Sequence, residues 1–246
     1  MKPILSACLL ISLAAPVHAA PAINIGAMYE YLDADAGTLL KRVRNSGDST
    51  AFVKVAVAEI VYGQDGQPNE LPVGTEQLSL GQINGLIASP ARLIVPAGGM
   101  QASRLLYLGP RDQERYFRVR FSPVLPDKQN AFDIGDAAAR QYQDSLSAGV
   151  NVLTGYGAIV IVRPKTPHYD TQLQDGANSY TVRNNGNSTV ILDAFYDCAA
   201  AGKTCDTPTK HHVLPHSSKS FIKVDGHGYK FELIEGSSRQ AVAFGQ

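Results

Sequence analysis

The stretch Gly149-Val150-Asn151-Val152-Leu153-Thr154-Gly155-Tyr156-Gly157-Ala158-Ile159-Val160-Ile161-Val162-Arg163-Pro164 decides how this chain is read. It is rich in β-branched residues, which suit a pleated surface, and Pro164-Lys165-Thr166-Pro167 closes it. Its sixteen residues exceed an ordinary strand of roughly 5–6. A strand that long runs past its own sheet, and the overhang offers a row of unpaired N–H and C=O groups to another chain. Side chains alternate across a strand, so Val150 and Val152 share a face that Thr154 or Tyr156 continues. These four are the candidate partner-binding residues. Gly155 and Gly157 predict a bulge or bend in mid-strand. The continuous apolar run from Ile159 to Val162 fits a core strand buried on both faces.

Outward from this stretch the pattern has period two. Val53-Lys54-Val55-Ala56-Val57 alternates, and so does Phe117-Arg118-Val119-Arg120-Phe121, with its aromatic and valine side chains inward and both arginines outward. Turn signals separate such runs: Asn45-Ser46-Gly47-Asp48, Gln64-Asp65-Gly66, Pro96-Ala97-Gly98-Gly99 and Asn184-Asn185-Gly186-Asn187. Short strands at this spacing predict β-sandwiches. The polar segment from Asp127 to Ala148 is longer than an ordinary loop, with a short helix predicted around Asp136 to Tyr142. Pro164-Lys165-Thr166-Pro167 reads as a stiff linker, and strand patterning resumes at Ser179-Tyr180-Thr181-Val182-Arg183 and from Val190 to Tyr196. The expected domains are therefore 20–164 and 165–246.

Met1-Lys2, an apolar run from Ile4 to Val17 and Val17-His18-Ala19 describe a cleavable secretory signal over residues 1–19. The run is shorter than the roughly 17–25 residues that span a bilayer, so membrane insertion is not expected. The 22 basic and 22 acidic residues balance, and no sequence-wide field favours nucleic acid. Loss of the signal removes Cys8 and leaves Cys198 and Cys205, an even pair in an exported chain, which points to a disulfide.

Several motifs together resemble the periplasmic pilus chaperones of the chaperone–usher pathway, in the alternate branch that serves colonisation-factor-type fimbriae. They are the run from Ile87 to Gly99, then Ser103-Arg104-Leu105, the strand from Glu114 to Val124, the 149–164 stretch, and Cys198 and Cys205 after Asp193-Ala194-Phe195-Tyr196-Asp197. The resemblance implies an all-β chain of two immunoglobulin-like sandwich domains set at an angle. It implies pilus subunits as clients, stabilised by donation of the long strand, an outer-membrane usher as recipient, and no cofactor. The family's main branch grips the client carboxylate with two basic residues in the cleft. Counting back from Pro164 puts Ile159 at one of those positions, and the first strand offers Tyr29 at the other. Arg42, Arg118 and Arg163 are the candidate carboxylate anchors here, because charged hydrogen bonds suit that task.

Other chemistry is not supported. His211, His212 and His216 near Lys210 read as a solvated loop cluster, not a metal site. No Ser-His-Asp or Cys-His arrangement can be built, and catalysis is not expected. Two rival readings are a fimbrial structural or tip subunit and a secreted carbohydrate-binding sandwich protein. The long internal strand and second domain count against the first, and the absence of Trp against the second. An exposed edge strand also predicts self-association of the free chain.

Overall fold

The computed structural model describes residues 20–63, 66–73, 84–147, 153–199 and 204–245. Alternating sequences fold into four sheets, two around each of two separate apolar cores. In the first sandwich, one sheet holds β1 (Ile23–Asn24), β3 (Thr38–Asn45), β8 (Met100–Leu108) and β6 (Gly85–Ser89), in the spatial order β1-β3-β8-β6. The facing sheet holds β2 (Tyr29–Leu32), β10 (Tyr156–Val162), β9 (Arg115–Pro123), β4 (Ala51–Tyr62) and β5 (Pro68–Pro72), in that order, with β7 (Arg92–Val95) also on β4. Phe117, Val119 and Phe121 point into the core and are fully buried, as their alternation predicts.

The second sandwich sets β11 (Thr171–Asp175), β12 (Ser179–Asn184) and β16 (Ser218–Ile222) against a larger sheet. That sheet runs β14 (Thr204–Cys205), β13 (Val190–Ala199), β17 (Gly228–Glu235) and β18 (Ser238–Phe244), with β15 (Thr209–Val213) also on β13. Phe195 anchors its core, stacked 4.3 Å from Phe221 and 5.5 Å from Tyr229. Cys198 and Cys205 are register partners and are disulfide-bonded.

The polar segment after β9 contains the predicted helix, which extends further than expected: α1 spans Asp136–Ser147. It is pinned to the first sandwich by Tyr142, whose ring meets Phe52 edge-on at 5.1 Å and whose hydroxyl donates to the Thr50 carbonyl at 2.6 Å.

The long strand departs from expectation. It spans seven residues, Tyr156–Val162, and 153–155 carry no strand. Val150 and Val152 lie outside the described residues. The cause is on β9. The N–H groups of Ile159 and Arg163 point to β2, where they donate to the carbonyls of Met28 and Leu32. Alternation turns the even-numbered residues of β10 toward β9. The register then places Thr154 opposite Pro123 as the next hydrogen-bonded pair. Proline has no N–H to give, and the ladder stops at Tyr156.

One device closes the same corner of both sandwiches. Asn45, fully buried, donates from Nδ2 to the Ser49 and Val95 carbonyls, and its Oδ1 accepts from the N–H groups of Ala22 and Gly47. Asn184, also fully buried, donates to the Ser188 and Val213 carbonyls and accepts from Gly186 N–H. A Cβ at Gly47 or Gly186 would lie 2.3 Å from a backbone carbonyl oxygen (Ala20 or His168), so each Asn-x-Gly needs its glycine. Replacing either asparagine with Ala leaves buried backbone groups unpaired, at about 1–3 kcal/mol. Urea unfolding of Asn45→Ala and Asn184→Ala should show comparable losses, and an unchanged midpoint in either would contradict the role assigned to that asparagine.

Candidate functional site

β10 is satisfied unequally on its two sides. Along β9 it is paired antiparallel from Tyr156 to Val162, opposite Phe121 to Arg115. Along β2 it is paired in parallel only from Ile159, opposite Tyr29, to Val162, opposite Leu32. Among the described residues nothing pairs with this side of 156–158, an open edge into which alternation turns the N–H and C=O of Gly157. Ala158, Val160 and Val162 face the core, with Tyr156 packed against it. Thr154 is exposed.

Ile159 and Tyr29, singled out from the sequence at the two basic positions of the related family, are direct register partners. On the outward face they line a cavity of about 270 Å³. Ile161, Tyr62 and Arg118 add to its walls, and His212 and Leu214 reach it from the second sandwich. His212 stacks on Tyr29 with ring centroids 4.0 Å apart. Burial, then Lys210 and His211, push its imidazole down to about 4. Its Nε2 is buried and has no hydrogen-bond partner among the described residues. The solvated reading of this histidine is thereby corrected. Its partner is 183 positions away (212 − 29), a separation no local pattern reveals.

The three candidate anchors separate in space. Arg118 lines the cavity and is partly exposed, with Nε 2.8 Å from Glu70, whose other oxygen lies 2.6 Å from Arg120. Arg42 is exposed on β3, in the opposite sheet of the sandwich. Arg163 is buried in the join between the sandwiches and is not free to meet a client. Its guanidinium reaches Asp33 at 3.2 Å and the Thr189 carbonyl at 3.3 Å, lies 3.8 Å from Glu114, and sits over the rings of Tyr31 and Tyr169.

Glu114 completes the join. Its carboxylate accepts from the backbone N–H of Thr189 at 2.9 Å, from the Thr189 hydroxyl, and from the Tyr116 hydroxyl at 2.8 Å. Burial raises its pKa, against the opposing pull of the Thr189 and Tyr116 hydrogen bonds and of Arg163. A carboxylate this dry needs such donors. The first sandwich thus grips the residue just before β13 of the second. Among the described residues no helix is long and apolar enough to cross a membrane.

No family model matches the chain. It is 31% identical over 222 residues to the "Probable fimbrial chaperone EcpB" of Escherichia coli O157:H7 (strain EC4115 / EHEC), covering 88% of each chain. In fold it resembles the class 5 fimbriae chaperone CfaA (TM-score 0.55, 19% identity, 92% of this chain and 100% of that one). A chain in the complex of the Salmonella enterica SafA pilin with the SafB chaperone is also similar (TM-score 0.51, 13% identity, 91% and 94%). Two sandwiches that meet at a cleft, beside a strand left half open among the described residues, are the shared architecture. The chain belongs to the fimbrial chaperone family.

Two outcomes test the join. Glu114→Ala should lose roughly 3 kcal/mol or more in urea unfolding, because Arg163 and Thr189 lose a buried partner, whereas Thr189→Ser, which keeps the hydroxyl, should lose less than about 1 kcal/mol. His212 adds a pH dependence. An unfolded imidazole titrates near 6.5 and the folded one near 4. As pH falls through that window the unfolded chain takes up a proton that the folded chain refuses, and stability drops. Between pH 7 and pH 4.5 the melting temperature of His212→Phe should fall less than that of the wild type; equal falls would show that His212 is not held neutral by the fold.

Proposed function

We propose that this chain captures pilus subunits in the periplasm by lending them the open edge of β10, and passes them to an outer-membrane usher. The observation that carries the reading is the ladder break at Ile159 and Tyr29, which among the described residues leaves 156–158 paired on one side only. An open edge of this kind is a template for strand addition. The SafA–SafB structure supports the choice of a pilin as client, since a chaperone of similar fold is seen there with its pilin.

The parity of β10 carries the reading upstream. Its core-facing residues are even-numbered. If the chain extends on capture, Thr154, Val152 and Val150 continue that series beyond Tyr156 and enter a gap in the client's core. Each buried valine contributes roughly 1.5–3 kcal/mol and each backbone hydrogen bond a net of about 0.5–1.5 kcal/mol. Association itself costs an estimated 4–15 kcal/mol, so several plugs must act together. Of the three candidate anchors, Arg118 is the one placed to meet a client carboxylate, because it faces the cleft with part of its surface exposed. The proposed division is a signal over 1–19 cleaved near Ala19, a strand-lending domain over 20–164 and a second domain over 165–246, and the two separate apolar cores support the split between the last two. The work is pairing, not bond-making, and the same edge would let two free chains pair with each other.

Val150→Asp combined with Val152→Asp should leave the isolated protein folded by circular dichroism and abolish recovery of its pilin when the two are co-expressed and purified from periplasmic extract. Undiminished recovery would exclude the plugging face.

A further inference from the structure

The cavity at the foot of the open edge has a feature that strand pairing alone does not require. β2 occupies the edge of β10 from Ile159 onward, with the Ile159 N–H committed to the Met28 carbonyl. A strand that pairs with Gly157 must therefore end or turn aside at Tyr29. The cavity opens at that point, because Tyr29 and Ile159 form part of its wall. Between edge and cavity, on the same outward face, stands Gly157. It has no side chain to close the route, although a Cβ there would meet the Arg118 and Arg120 side chains at no closer than an ordinary 3.7 Å.

The lining states what fits. Ile60, Ile159, Ile161 and Leu214 supply aliphatic wall, and Tyr29 and Tyr62 supply ring faces. The cation within reach, Arg118, already has Glu70 beside it. His212, neutral near pH 7 because burial holds its imidazole down, carries an Nε2 with no partner among the described residues. That atom suits a peptide group rather than a charge. A volume of about 270 Å³ has room for one side chain and falls below the roughly 300 Å³ at which drug-sized pockets begin.

We propose that this cavity receives the terminal bulky apolar side chain of the strand that pairs with the open edge of β10, so that the end of a client is selected by side-chain shape as well as by any carboxylate contact to Arg118. The proposal rests on the strand-pairing reading above. It makes Tyr29, Ile159 and His212 specificity-determining residues for the client's last position.

The test uses the mature chain and fluorescein-labelled synthetic peptides of alternating apolar sequence that differ only in one end residue, Phe, Leu, Ala or Asp. The variable residue sits at the C-terminal end in one set and at the N-terminal end in another, since the edge admits either direction. C-terminal acids and amides are compared. Fluorescence polarisation should show the Phe and Leu peptides of one set binding about tenfold tighter than the Ala and Asp peptides, in acid and amide forms alike. Gly157→Val, which closes the route, should bring the Phe and Ala peptides within twofold of each other. The wild-type series decides the matter by itself should that variant not fold. Dependence on the carboxylate without dependence on the side chain would overturn the inference and leave strand pairing standing, as would equal binding of all peptides. Binding of none would overturn both.

Discussion

A β-strand must satisfy the hydrogen-bonding groups along both its edges, and among the described residues β10 does so fully along only one. Its ladder with β9 runs its full length, whereas its ladder with β2 begins only at Ile159. The rest of the first sandwich enforces that asymmetry. Met28 and Tyr29 bring β2 onto the edge and no further, and Pro123 ends the partnership with β9 just upstream of Tyr156. The consequence is a short exposed edge beside an apolar cavity, on a strand whose other face is locked into the core by Ala158, Val160 and Val162. Native proteins normally blunt such edges. Here the edge is short, and Gly157 leaves it without a covering side chain.

The cleft depends on a second constraint, the burial of charge between the sandwiches. Glu114 and Arg163 are both nearly inaccessible, and each is answered by groups from both halves of the chain: Thr189 and Tyr169 from the second, Tyr116, Asp33 and Tyr31 from the first. Leaving any of these charges unanswered in so dry a place is strongly destabilising. The same join sets His212 against Tyr29.

Much of this was legible in the sequence, and the division is physical. Alternation is a local property. Phe117, Val119 and Phe121 announced their inward face, the turns at Asn45 and Asn184 announced theirs, and Cys198 and Cys205, seven residues apart, announced their bond. Long-range partnership is not local. The length of β10 was overstated because its end is set by Pro123, a residue on another strand. Arg163 read as a free cation because Glu114 and Thr189 lie 49 positions before it (163 − 114) and 26 after it (189 − 163). The histidine cluster read as solvated because nothing near His212 in sequence is the ring it stacks upon. Counting back from Pro164 reached Ile159, and the first strand offered Tyr29, but only the register shows that the two sit side by side.

Glu114 holds Thr189 partly by its main-chain N–H, and the next residue, Val190, already sits in the sheet of the second sandwich, paired with Val213. A pull on anything seated in the cleft would therefore pass through the buried Glu114 side chain straight into the backbone of the second sandwich. The joint behaves as a rivet rather than a spring. A captured protein would be released by peeling from its strand, one hydrogen bond at a time, before the two halves of its holder parted.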